Sequence, residues 1–565
     1  MVFNFFTVWI FILMGKQYSF NYTKYRKKLI QILKEIDKEN NLNWKKFRKI
    51  LAKHPKDGNK LFSKNHLVIA YRNLKKEGEL SFLKDRDLLP KIRMKPVRTQ
   101  SGVAVVTVLT KPYPCPGKCI FCPFEKGMPK SYLSEEPGAQ RASRLKFDPY
   151  LQTYKRLQAL KNIGHNVGKV ELIILGGTWS SYPKNYQIWF VKRCFEALND
   201  FPNSSKDLAV ESKESKKIEW SDLFLEHKKN ETAGSRCVGL VIETRPDFIS
   251  KQSIVHLRKL GCTKIQLGFQ SADNEILKKN KRGHDVEKTK EAFRLLRISG
   301  FKIHGHWMAN LYGSDVEKDI EDFKKIFSSK HFRPDELKIY PCSLIEGTEL
   351  MDYYQKGKWK PYTYKQLLEV LTNVIKFTPR YCRLTRVFRD IPSQYIVDGN
   401  TLSNFRQIAE KRIKKEKGVI KEIRSREIKD MKIDTSKLKI KITKYLVSGG
   451  NEEFIEYVTK GDRIAGFLRL FLPNSSKHEF LPELNNTAII REVHVYGKAV
   501  NVGKEIKGKA QHKGLGSDLI DKAREISKEE NFEKLAVISA VGTRKYYQKK
   551  NFQQGDLYQF IKLTV

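Results

Sequence analysis

The sequence predicts an α/β protein: a partial TIM-like barrel of six strand–helix units, preceded by a helical module and followed by a smaller α+β domain. Three observations predict this architecture. The 565 residues exceed what one hydrophobic core normally organises. Short apolar runs alternate with helical patterns between residues 96 and 395, as in parallel βα units. Residues 436–565 alternate strand and helix again around a glycine-rich turn.

The first folded segment, residues 16–95, is a basic helical module. Apolar residues at helical spacing predict helices over 25–36, 44–51 and 65–76. The module has 23 Lys and Arg against 8 Asp and Glu, and the whole chain carries a formal charge of +45. Such an excess favours a polyanionic partner, and we predict that this module binds tRNA. An anionic membrane surface, or a merely solvated lysine-rich connector, is the alternative.

The sequence does not predict that residues 1–15 are part of the fold. The apolar run from Met1 to Met14 is shorter than the roughly 20 residues that a membrane span needs. It also lacks a basic leader and a small-residue cleavage site. We interpret 1–15 as a mis-assigned or disordered extension, with a membrane-touching anchor as the alternative. The eight cysteines are too few for a disulfide scaffold, so we expect a cytoplasmic protein without a membrane span.

The barrel segment spans residues 96–395, with an exposed polar insertion at 199–236. A charged linker follows at 396–435, within which we predict one helix over 406–430. The C-terminal domain covers 436–565. The six predicted barrel strands are 103–109, 170–175, 238–242, 264–269, 302–308 and 336–340.

Three cysteines stand together on the loop after the first barrel strand. Cys115, Cys119 and Cys122 have the spacing Cys-x3-Cys-x2-Cys on a Pro/Gly-rich segment. Three thiolates can hold three irons of a [4Fe–4S] cubane and leave the fourth iron open for S-adenosylmethionine (SAM). A structural zinc normally takes four protein ligands, and no fourth Cys or His lies nearby in the sequence. The triplet therefore predicts a radical-SAM centre; a zinc site and plain cysteines are the alternatives.

Further candidates follow the other barrel strands, because the carboxyl ends of such strands usually carry the active site. Small residues there let the backbone approach a cofactor. A Glu and an Arg can fix the polar groups of SAM or a substrate phosphate, or form a structural salt bridge. His304 and His306 share one strand face, either as packed polar residues or as ligands. The candidates for SAM binding are Gly176, Gly177, Thr178, Glu243, Arg245 and Gln270.

The C-terminal domain contains a Gln-x-x-Gly-x-Gly motif, formed by Gln511, Gly514 and Gly516, between a predicted strand and a helix. Glycines let backbone N–H groups reach a pyrophosphate at the helix N-terminus. A general nucleotide loop is an alternative. Tyr546 and Tyr547 lie on the helix after the next strand, where GNAT-type acetyltransferases place a tyrosine near the sulfur of coenzyme A. We predict that they are catalytic, with core packing as the alternative.

The sequence resembles the family of Elongator catalytic subunits, in their archaeal or prokaryotic form, over nearly the whole chain from about residue 16. These proteins combine a radical-SAM domain with a GNAT-type domain. The stretches that carry the resemblance are 95–102, 114–123, 144–153, 175–178, 243–247, 282–284, 332–341, 359–364, 389–393, 491–497 and 541–552.

This resemblance implies tRNA wobble-uridine modification. A SAM-derived radical would take a hydrogen from the acetyl methyl group of acetyl-CoA. The carbon radical would then add to carbon 5 of the uridine in the anticodon stem-loop, and thioester hydrolysis would leave 5-carboxymethyluridine. The resemblance gives Lys169 a catalytic and acetyl-CoA-binding role. With the glycine motif, the remaining acetyl-CoA contacts that it implies are Glu492, Val493, His494, Val495, Gly514, Leu515, Gly516, Ser517 and Tyr547.

Some stretches depart from the family pattern. Residues 306–313 replace a proline-containing stretch, Glu346 stands where many members have Arg, and the 199–236 insertion is longer than usual. The other functions that fit the residues are a protein lysine acetyltransferase with a structural iron–sulfur domain, an RNA methyl- or methylthiotransferase, and an RNA-binding scaffold. The electron donor is not identified by the sequence, and a homodimer or accessory subunits stay open.

Overall fold

The computed structural model describes residues 20–95, 99, 101–202, 218–388, 391–402, 404–429, 431, 433–496 and 514–563. The predicted extension at 1–15 therefore lies outside the described residues. The chain divides into two compact units, one formed by residues 1–99 with 157–167 and the other by the remainder. No helix in the described ranges is long and apolar enough to cross a bilayer.

The first unit contains the helices that the apolar spacing predicts. Asn43 caps the second helix by accepting from Lys46 N–H at 2.9 Å, and Ser63 begins the third with a capping box. The buried face of the first helix carries Leu29, Ile32, Leu33 and Ile36. The helices are α1 (Arg26–Lys38), α2 (Trp44–Lys53), α3 (Lys64–Lys76) and α4 (Asp85–Ile92).

The barrel sheet of the second unit is parallel throughout, in the order β1-β2-β3-β4-β5-β6-β8. This confirms the predicted partial barrel, and it adds a seventh strand that the apolar runs did not reveal. The strands are β1 (Ala104–Leu109), β2 (Lys169–Leu175), β3 (Arg236–Thr244), β4 (Lys264–Gln270), β5 (Lys302–Trp307), β6 (Glu336–Ile339), β7 (Leu344–Ile345), β8 (Arg383–Arg386) and β9 (Ile396–Asp398). Strands β7 and β9 form a separate antiparallel pair.

Helices surround this sheet, as the alternating pattern indicates. Capping side chains begin several of them, such as Ser250, Asp285 and Asp315. They are α5 (Pro137–Arg144), α6 (Pro149–Asn162), α7 (Lys184–Asp200), α8 (Trp220–Asn230), α9 (Lys251–Lys259), α10 (Asn274–Lys279), α11 (Val286–Ile298), α12 (Val316–Ser328), α13 (Leu350–Gln355), α14 (Tyr364–Phe377), α15 (Phe405–Lys415) and α16 (Ile423–Arg426).

Two sequence predictions about connecting segments are wrong. The single charged helix over 406–430 is two helices, α15 and α16, which pack on the barrel. Phe405, Ala409 and Ile413 form a buried stripe at four-residue spacing, and the backbone turns left-handed at Lys417. The insertion at 199–236 is not wholly exposed, because α8 packs against α7. Residues 203–217 of this insertion lie outside the described ranges.

The C-terminal part of the second unit is a seven-stranded sheet in the order β10-β11-β12-β13-β14-β16-β15. Only β13 and β14 are parallel, which agrees with the predicted α+β class; the acetyltransferase type stays a prediction. The strands are β10 (Lys439–Val447), β11 (Gly450–Val458), β12 (Ile464–Pro473), β13 (Thr487–Val495), β14 (Lys534–Val537), β15 (Gln553–Gln554) and β16 (Gln559–Lys562). The helices are α17 (Leu515–Glu529) and α18 (Arg544–Gln548).

A glycine outside the strands of the C-terminal sheet packs directly on barrel strand β3. Gly542 lies in the turn before α18, and a Cβ there would lie 2.7 Å from Cβ of Arg236 and 2.8 Å from the carbonyl oxygen of Cys237. The backbone of a central strand cannot move away easily. We therefore expect Gly542→Ala to lower the free energy of unfolding by about 1–3 kcal/mol.

Chemical denaturation followed by circular dichroism checks this prediction. The matched control is Gly461→Ala, because a Cβ at Gly461 comes no nearer than 4.0 Å to any neighbour, and that is a side-chain oxygen. Equal stability of the two variants would contradict the tight packing of the turn on β3.

Candidate active site

The loop after β1 places the cysteine triplet at the carboxyl end of the barrel strands. Cys115, Cys119 and Cys122 are each partly exposed. The N–H of Cys122 donates to the carbonyl of Cys119 at 3.2 Å, which closes a tight turn between them. The Cys115 thiol lies 3.5 Å from the hydroxyl of Thr178, which follows β2. The structure therefore brings the triplet and the residues after β2 together.

Gly176 allows the ends of β1 and β2 to meet. Its φ is +147°, and a Cβ there would lie only 1.9 Å from Oγ1 of Thr110, the first residue after β1. The Thr110 hydroxyl in turn lies 2.8 Å from the Tyr182 hydroxyl. Gly177 follows, and its nearest neighbours would be 3.8 Å or more from a Cβ. Gly176 thus has a packing reason as well as the predicted cofactor role.

Two buried arginines lie against the cysteine loop. Arg245 follows β3, and Asp247 accepts hydrogen bonds from its Nε and Nη2 at 2.9 and 3.0 Å. Its Nη1 is buried and has no hydrogen-bond partner among the described residues. A Cβ on Gly117 would lie 2.2 Å from this Nη1, so the guanidinium touches the loop. The second arginine, Arg282, donates from Nη1 to Sγ of Cys119 at 2.9 Å.

The barrel interior next to this end is polar. Nδ1 of His306 lies 3.7 Å from a carboxylate oxygen of Glu243, and its Nε2 lies 3.1 Å from the Gln266 side-chain oxygen. Burial lowers the pKa of His306 well below the usual value, so the ring is neutral at physiological pH. His304 is also neutral for this reason and lies 2.8 Å from Thr385. Both rings therefore have polar partners inside the barrel, and their role as packed polar residues or as ligands stays a prediction.

Ion pairs continue this polar interior toward the C-terminal sheet. The Lys264 ammonium lies 2.6 Å from Glu171 and 3.1 Å from Glu336, so it joins β2, β4 and β6. The Lys302 ammonium lies 2.9 Å from Glu336 and 2.5 Å from Glu492. Because Glu492 belongs to β13, this line of charges connects the barrel interior with the strand that is predicted to contact acetyl-CoA.

Strands β13 and β14 separate next to these residues. They pair from Thr487 to Ile490, but β13 continues to Val495. A register shift opposite Arg469 and Leu470 inserts one extra residue into β13, so Arg491 and Glu492 both reach toward the barrel. The backbone beyond Ile490 on this side therefore leaves the ladder with β14, which opens a wedge between these two inner strands.

The four residues of β13 that are predicted to contact acetyl-CoA lie on two faces of the strand. Val493 and Val495 pack in the hydrophobic core beneath α17. Glu492 and His494 lie on the other side, where the His494 ring stacks on Phe467 at 5.7 Å between centroids. Burial lowers the pKa of His494 to about 4, and its Nε2 has no hydrogen-bond partner within the described ranges.

The N-terminus of α17 lies beside this wedge. Gly514 caps the helix with φ +104°, a conformation that favours glycine. A Cβ on Gly516 would lie 3.0 Å from the Tyr546 hydroxyl and 3.7 Å from Val495. The Lys550 ammonium donates to the Ser517 hydroxyl. Leu515 is buried, and the predicted Gln511 lies outside the described residues.

The two tyrosines of α18 have different surroundings. The Tyr546 hydroxyl lies next to the first turn of α17, and burial raises the pKa of this tyrosine to about 12. Tyr547 packs in the hydrophobic core against Phe552, with ring centroids 5.6 Å apart. The structure therefore brings Tyr546, rather than Tyr547, to the helix N-terminus.

Lys169 lies away from the cysteines. It is the first residue of β2, whereas Gly176 follows the last, and it pairs in register with Arg236 of β3. Burial and the charge of Arg236 lower the pKa of Lys169. Arg236 is the residue on which Gly542 packs. Lys169 thus lies at the end of the barrel that contacts the C-terminal sheet.

Comparison with known proteins identifies the family to which the chain belongs. The sequence profile of the Radical SAM superfamily matches residues 113–326, and that of the Radical_SAM C-terminal domain matches 334–415. The tRNA uridine(34) acetyltransferase of Methanocaldococcus jannaschii is 41% identical over 83% of this chain and 86% of its own length. The chain belongs to the family of tRNA uridine(34) acetyltransferases and Elongator complex protein 3.

Other members support this assignment. Human Elongator complex protein 3 is 36% identical over 82% of this chain and 85% of its own length. The solved structure of archaeal Elp3 from Methanocaldococcus infernus, with an N-terminal deletion, matches with a TM-score of 0.69. It is 37% identical and covers 82% of this chain and 99% of that one. The resemblance stated from the sequence is confirmed, and the protein is an enzyme with a radical SAM domain.

A radical SAM domain implies a [4Fe–4S] cluster and SAM. The residues at the carboxyl end of the barrel strands, where the cysteine triplet lies (the cysteine end), fit both groups. In a cubane cluster each thiolate binds a different iron, so the three cysteines need not meet at a single ion. In the described ranges, no group of three or more Cys, His, Asp or Glu side chains could hold one metal ion. Arg245 Nη1, the Gln270 side-chain oxygen and both ring nitrogens of His284 are buried without hydrogen-bond partners there. Such polar atoms suit a polar cofactor.

Sequence reasoning missed Arg282 and His284 at this site. They lie in the stretch 282–284, which contributed to the resemblance but received no role. The only available signal was an Arg and a His in the short loop between α10 and α11. The contact between Arg282 and Cys119 joins residues 163 positions apart, and local patterns do not report such contacts.

Proposed function

We propose that this enzyme converts the wobble uridine of tRNA into 5-carboxymethyluridine with SAM and acetyl-CoA. One observation carries the proposal: the cysteine triplet and the predicted acyl-binding strand β13 belong to one compact unit, and ion pairs through Lys264 and Lys302 join the barrel strands to β13. The relatives named tRNA uridine(34) acetyltransferases supply the substrate.

The cysteine end would hold the cluster and SAM. Cys115, Cys119 and Cys122 would supply the thiolates. When bound, these groups would supply the one-electron chemistry that removes a hydrogen from the acetyl methyl group. The neutral histidines inside the barrel add no charge there. The side chains and backbone that would surround SAM are those of Gly176, Gly177, Thr178, Glu243, Arg245 and Gln270.

The other end would hold acetyl-CoA. The first N–H groups of α17 and its dipole favour the pyrophosphate, and Gly514 and Gly516 leave room for it. The free edge of β13 from Glu492 to Val495 can pair with the amides of the pantetheine arm. Because its pKa is about 12, Tyr546 stays protonated at neutral pH and can donate to the thioester. Lys169 would contribute a cation from the barrel side.

An omission experiment tests the proposal. Anaerobically reconstituted enzyme is incubated with bulk tRNA, dithionite, SAM and acetyl-CoA, and the tRNA is digested for nucleoside mass spectrometry. We expect 5-carboxymethyluridine in the complete mixture and none when either SAM or acetyl-CoA is left out. Acetylated lysine on protein substrates without any modified uridine would favour the protein acetyltransferase instead.

The first unit is proposed to bind tRNA through α2. Lys45, Arg48 and Lys49 are exposed, and none of them forms an ion pair with another described residue. Trp44 beside them is 65% exposed, so an aromatic face is also available. We expect the triple variant Lys45→Glu/Arg48→Glu/Lys49→Glu to weaken tRNA binding at least tenfold. The slope of log Kd against log salt should fall by about one for each lost phosphate contact.

Fluorescence anisotropy with labelled tRNA at several salt concentrations measures both effects. The matched control is Lys411→Glu/Lys414→Glu/Lys415→Glu on α15, three exposed lysines on a helix of the other unit. Equal loss of binding in both triple variants would show an effect of net charge alone and would contradict a binding surface on α2.

A further inference from the structure

Arg282 is a buried cation that is held in one place. It is 5% exposed, and its Nη2 donates to the carbonyl of Gly268 at 2.6 Å. Its backbone N–H donates to Leu277 at 3.0 Å, and its guanidinium lies 6.0 Å from the ring centre of Phe121. The hydrogen bond to Gly268 on β4 thus holds the guanidinium from outside the cysteine loop.

The charge of Arg282 has no carboxylate partner in the part of the chain that the structure describes. The neighbouring Arg245 differs, because Asp247 neutralises it through two hydrogen bonds. Arg245 also donates from Nη2 to the backbone carbonyl of Arg282 at 2.7 Å, which links its side chain to this segment. A buried cation without a counter-ion is costly, so an anion is expected beside this guanidinium. Its Nε has no hydrogen-bond partner among the described residues, and its Nη1 donates to Sγ of Cys119.

Cys119 and Cys115 have different hydrogen-bond partners. Cys119 accepts from a guanidinium at 2.9 Å. Cys115 lies 3.5 Å from a neutral hydroxyl, that of Thr178. The donor to Cys119 is therefore charged, whereas the group beside Cys115 is neutral, and charge-assisted hydrogen bonds are shorter and stronger than neutral ones.

We propose that Arg282 is a positioning residue that sets the reduction potential of the cluster through its hydrogen bond to Cys119. Reduction adds negative charge to the cluster, and a donor fixed on a ligand sulfur stabilises the added charge, so Arg282 raises the potential. The proposal rests on the assignment of Cys115, Cys119 and Cys122 as the cluster ligands. Arg282 thereby makes the electron easier to deliver before SAM is cleaved.

The test is an EPR-monitored redox titration of reconstituted wild type, Arg282→Gln and Arg282→Lys, each with measured iron and sulfide content. Glutamine is too short to reach Cys119 from this position and carries no charge. We expect Arg282→Gln to shift the ratio of reduced to oxidised cluster about tenfold toward the oxidised form at a fixed potential, about 59 mV for a one-electron couple. Arg282→Lys keeps the positive charge but lacks the planar guanidinium, so its reduction potential should lie between those of the wild type and Arg282→Gln.

The control is Lys281→Gln, which removes the same charge one residue away from an exposed side chain paired with Glu349. Its potential should match that of the wild type. A wild-type potential in fully loaded Arg282→Gln would overturn the proposal, as would an equal shift in Lys281→Gln. If Arg282→Gln does not load, an unchanged potential in Arg282→Lys has the same meaning. A wild type that takes up no iron would instead contradict the ligand assignment itself.

Discussion

Replacing Asp335 with asparagine is expected to lower the free energy of unfolding by about 3–5 kcal/mol. Asp335 is completely buried between the barrel and the C-terminal sheet. Its carboxylate accepts from Arg297 at 3.1 Å and from Arg491, and Arg469 lies 3.5 Å away. Asparagine keeps the shape but removes the negative charge, so three buried guanidinium groups would retain only Glu452 and Glu492 as counter-ions.

The pH dependence of this contribution follows from the pKa of Asp335. Burial alone would raise that pKa, but Arg491, Arg297 and Arg469 together hold it below the usual value. An acid with a lowered folded-state pKa stabilises the fold above its unfolded pKa of about 3.9 and loses this effect only as the pH falls further. The difference between wild type and Asp335→Asn should therefore be complete at pH 7 and shrink in acid.

Urea denaturation at pH 7, followed by circular dichroism, measures the effect. Asp462→Asn is the matched control, because Asp462 also pairs with arginines, Arg380 and Arg426, but is 48% exposed. Solvent screens such a pair, and its loss should cost less than about 1 kcal/mol. A cost for Asp335→Asn no larger than that of the control would contradict the view that this cluster joins the two sheets.

Gly516→Val is expected to raise the Kd for acetyl-CoA at least about 100-fold, a loss of about 2.7 kcal/mol. Gly516 lies in the first turn of α17, between the Tyr546 hydroxyl and Val495. The added isopropyl group would fill the space from which N–H groups of the helix reach a pyrophosphate. Its backbone is helical, so the substitution brings little strain of its own. The side chain that would have to move is the end of Tyr546.

Isothermal titration calorimetry with acetyl-CoA measures this affinity. Gly516→Ala serves as a graded variant, because its single methyl group approaches only the movable Tyr546 hydroxyl, and it should lose less. Cluster absorption and the thermal midpoint of Gly516→Val should stay near those of the wild type. A folded Gly516→Val protein that binds acetyl-CoA normally would contradict the placement of the acyl donor at α17.

The fold was predictable to the extent that local patterns express it. Apolar runs such as 103–109 and 264–269 gave six barrel strands, because buried parallel strands are apolar along their whole length. Strand β8 (Arg383–Arg386) has two arginines in four residues and leaves no apolar run. The charged segment 406–430 suggested one solvated helix, because the stripe of Phe405, Ala409 and Ile413 is narrow and surrounded by Lys and Arg.

The candidate site was predictable where one short motif carries the chemistry. The cysteine spacing and the glycines near α17 are such motifs. The ion pairs of Lys264 with Glu171 and Glu336 join residues 93 and 72 positions apart, and each residue alone looks like an ordinary charge in a strand. The environments of Tyr546 and Tyr547 also depend on packing, which two adjacent tyrosines do not reveal in a sequence.

The most direct measurement of the central claim uses acetyl-CoA with a fully deuterated methyl group in the anaerobic reaction with tRNA and SAM. Both products are analysed by mass spectrometry. We predict 5-carboxymethyluridine that retains two deuterium atoms, together with 5′-deoxyadenosine that has gained one. Modified uridine whose companion 5′-deoxyadenosine contains no deuterium would contradict the account that the cysteine end and the acyl-binding end act on the same methyl group.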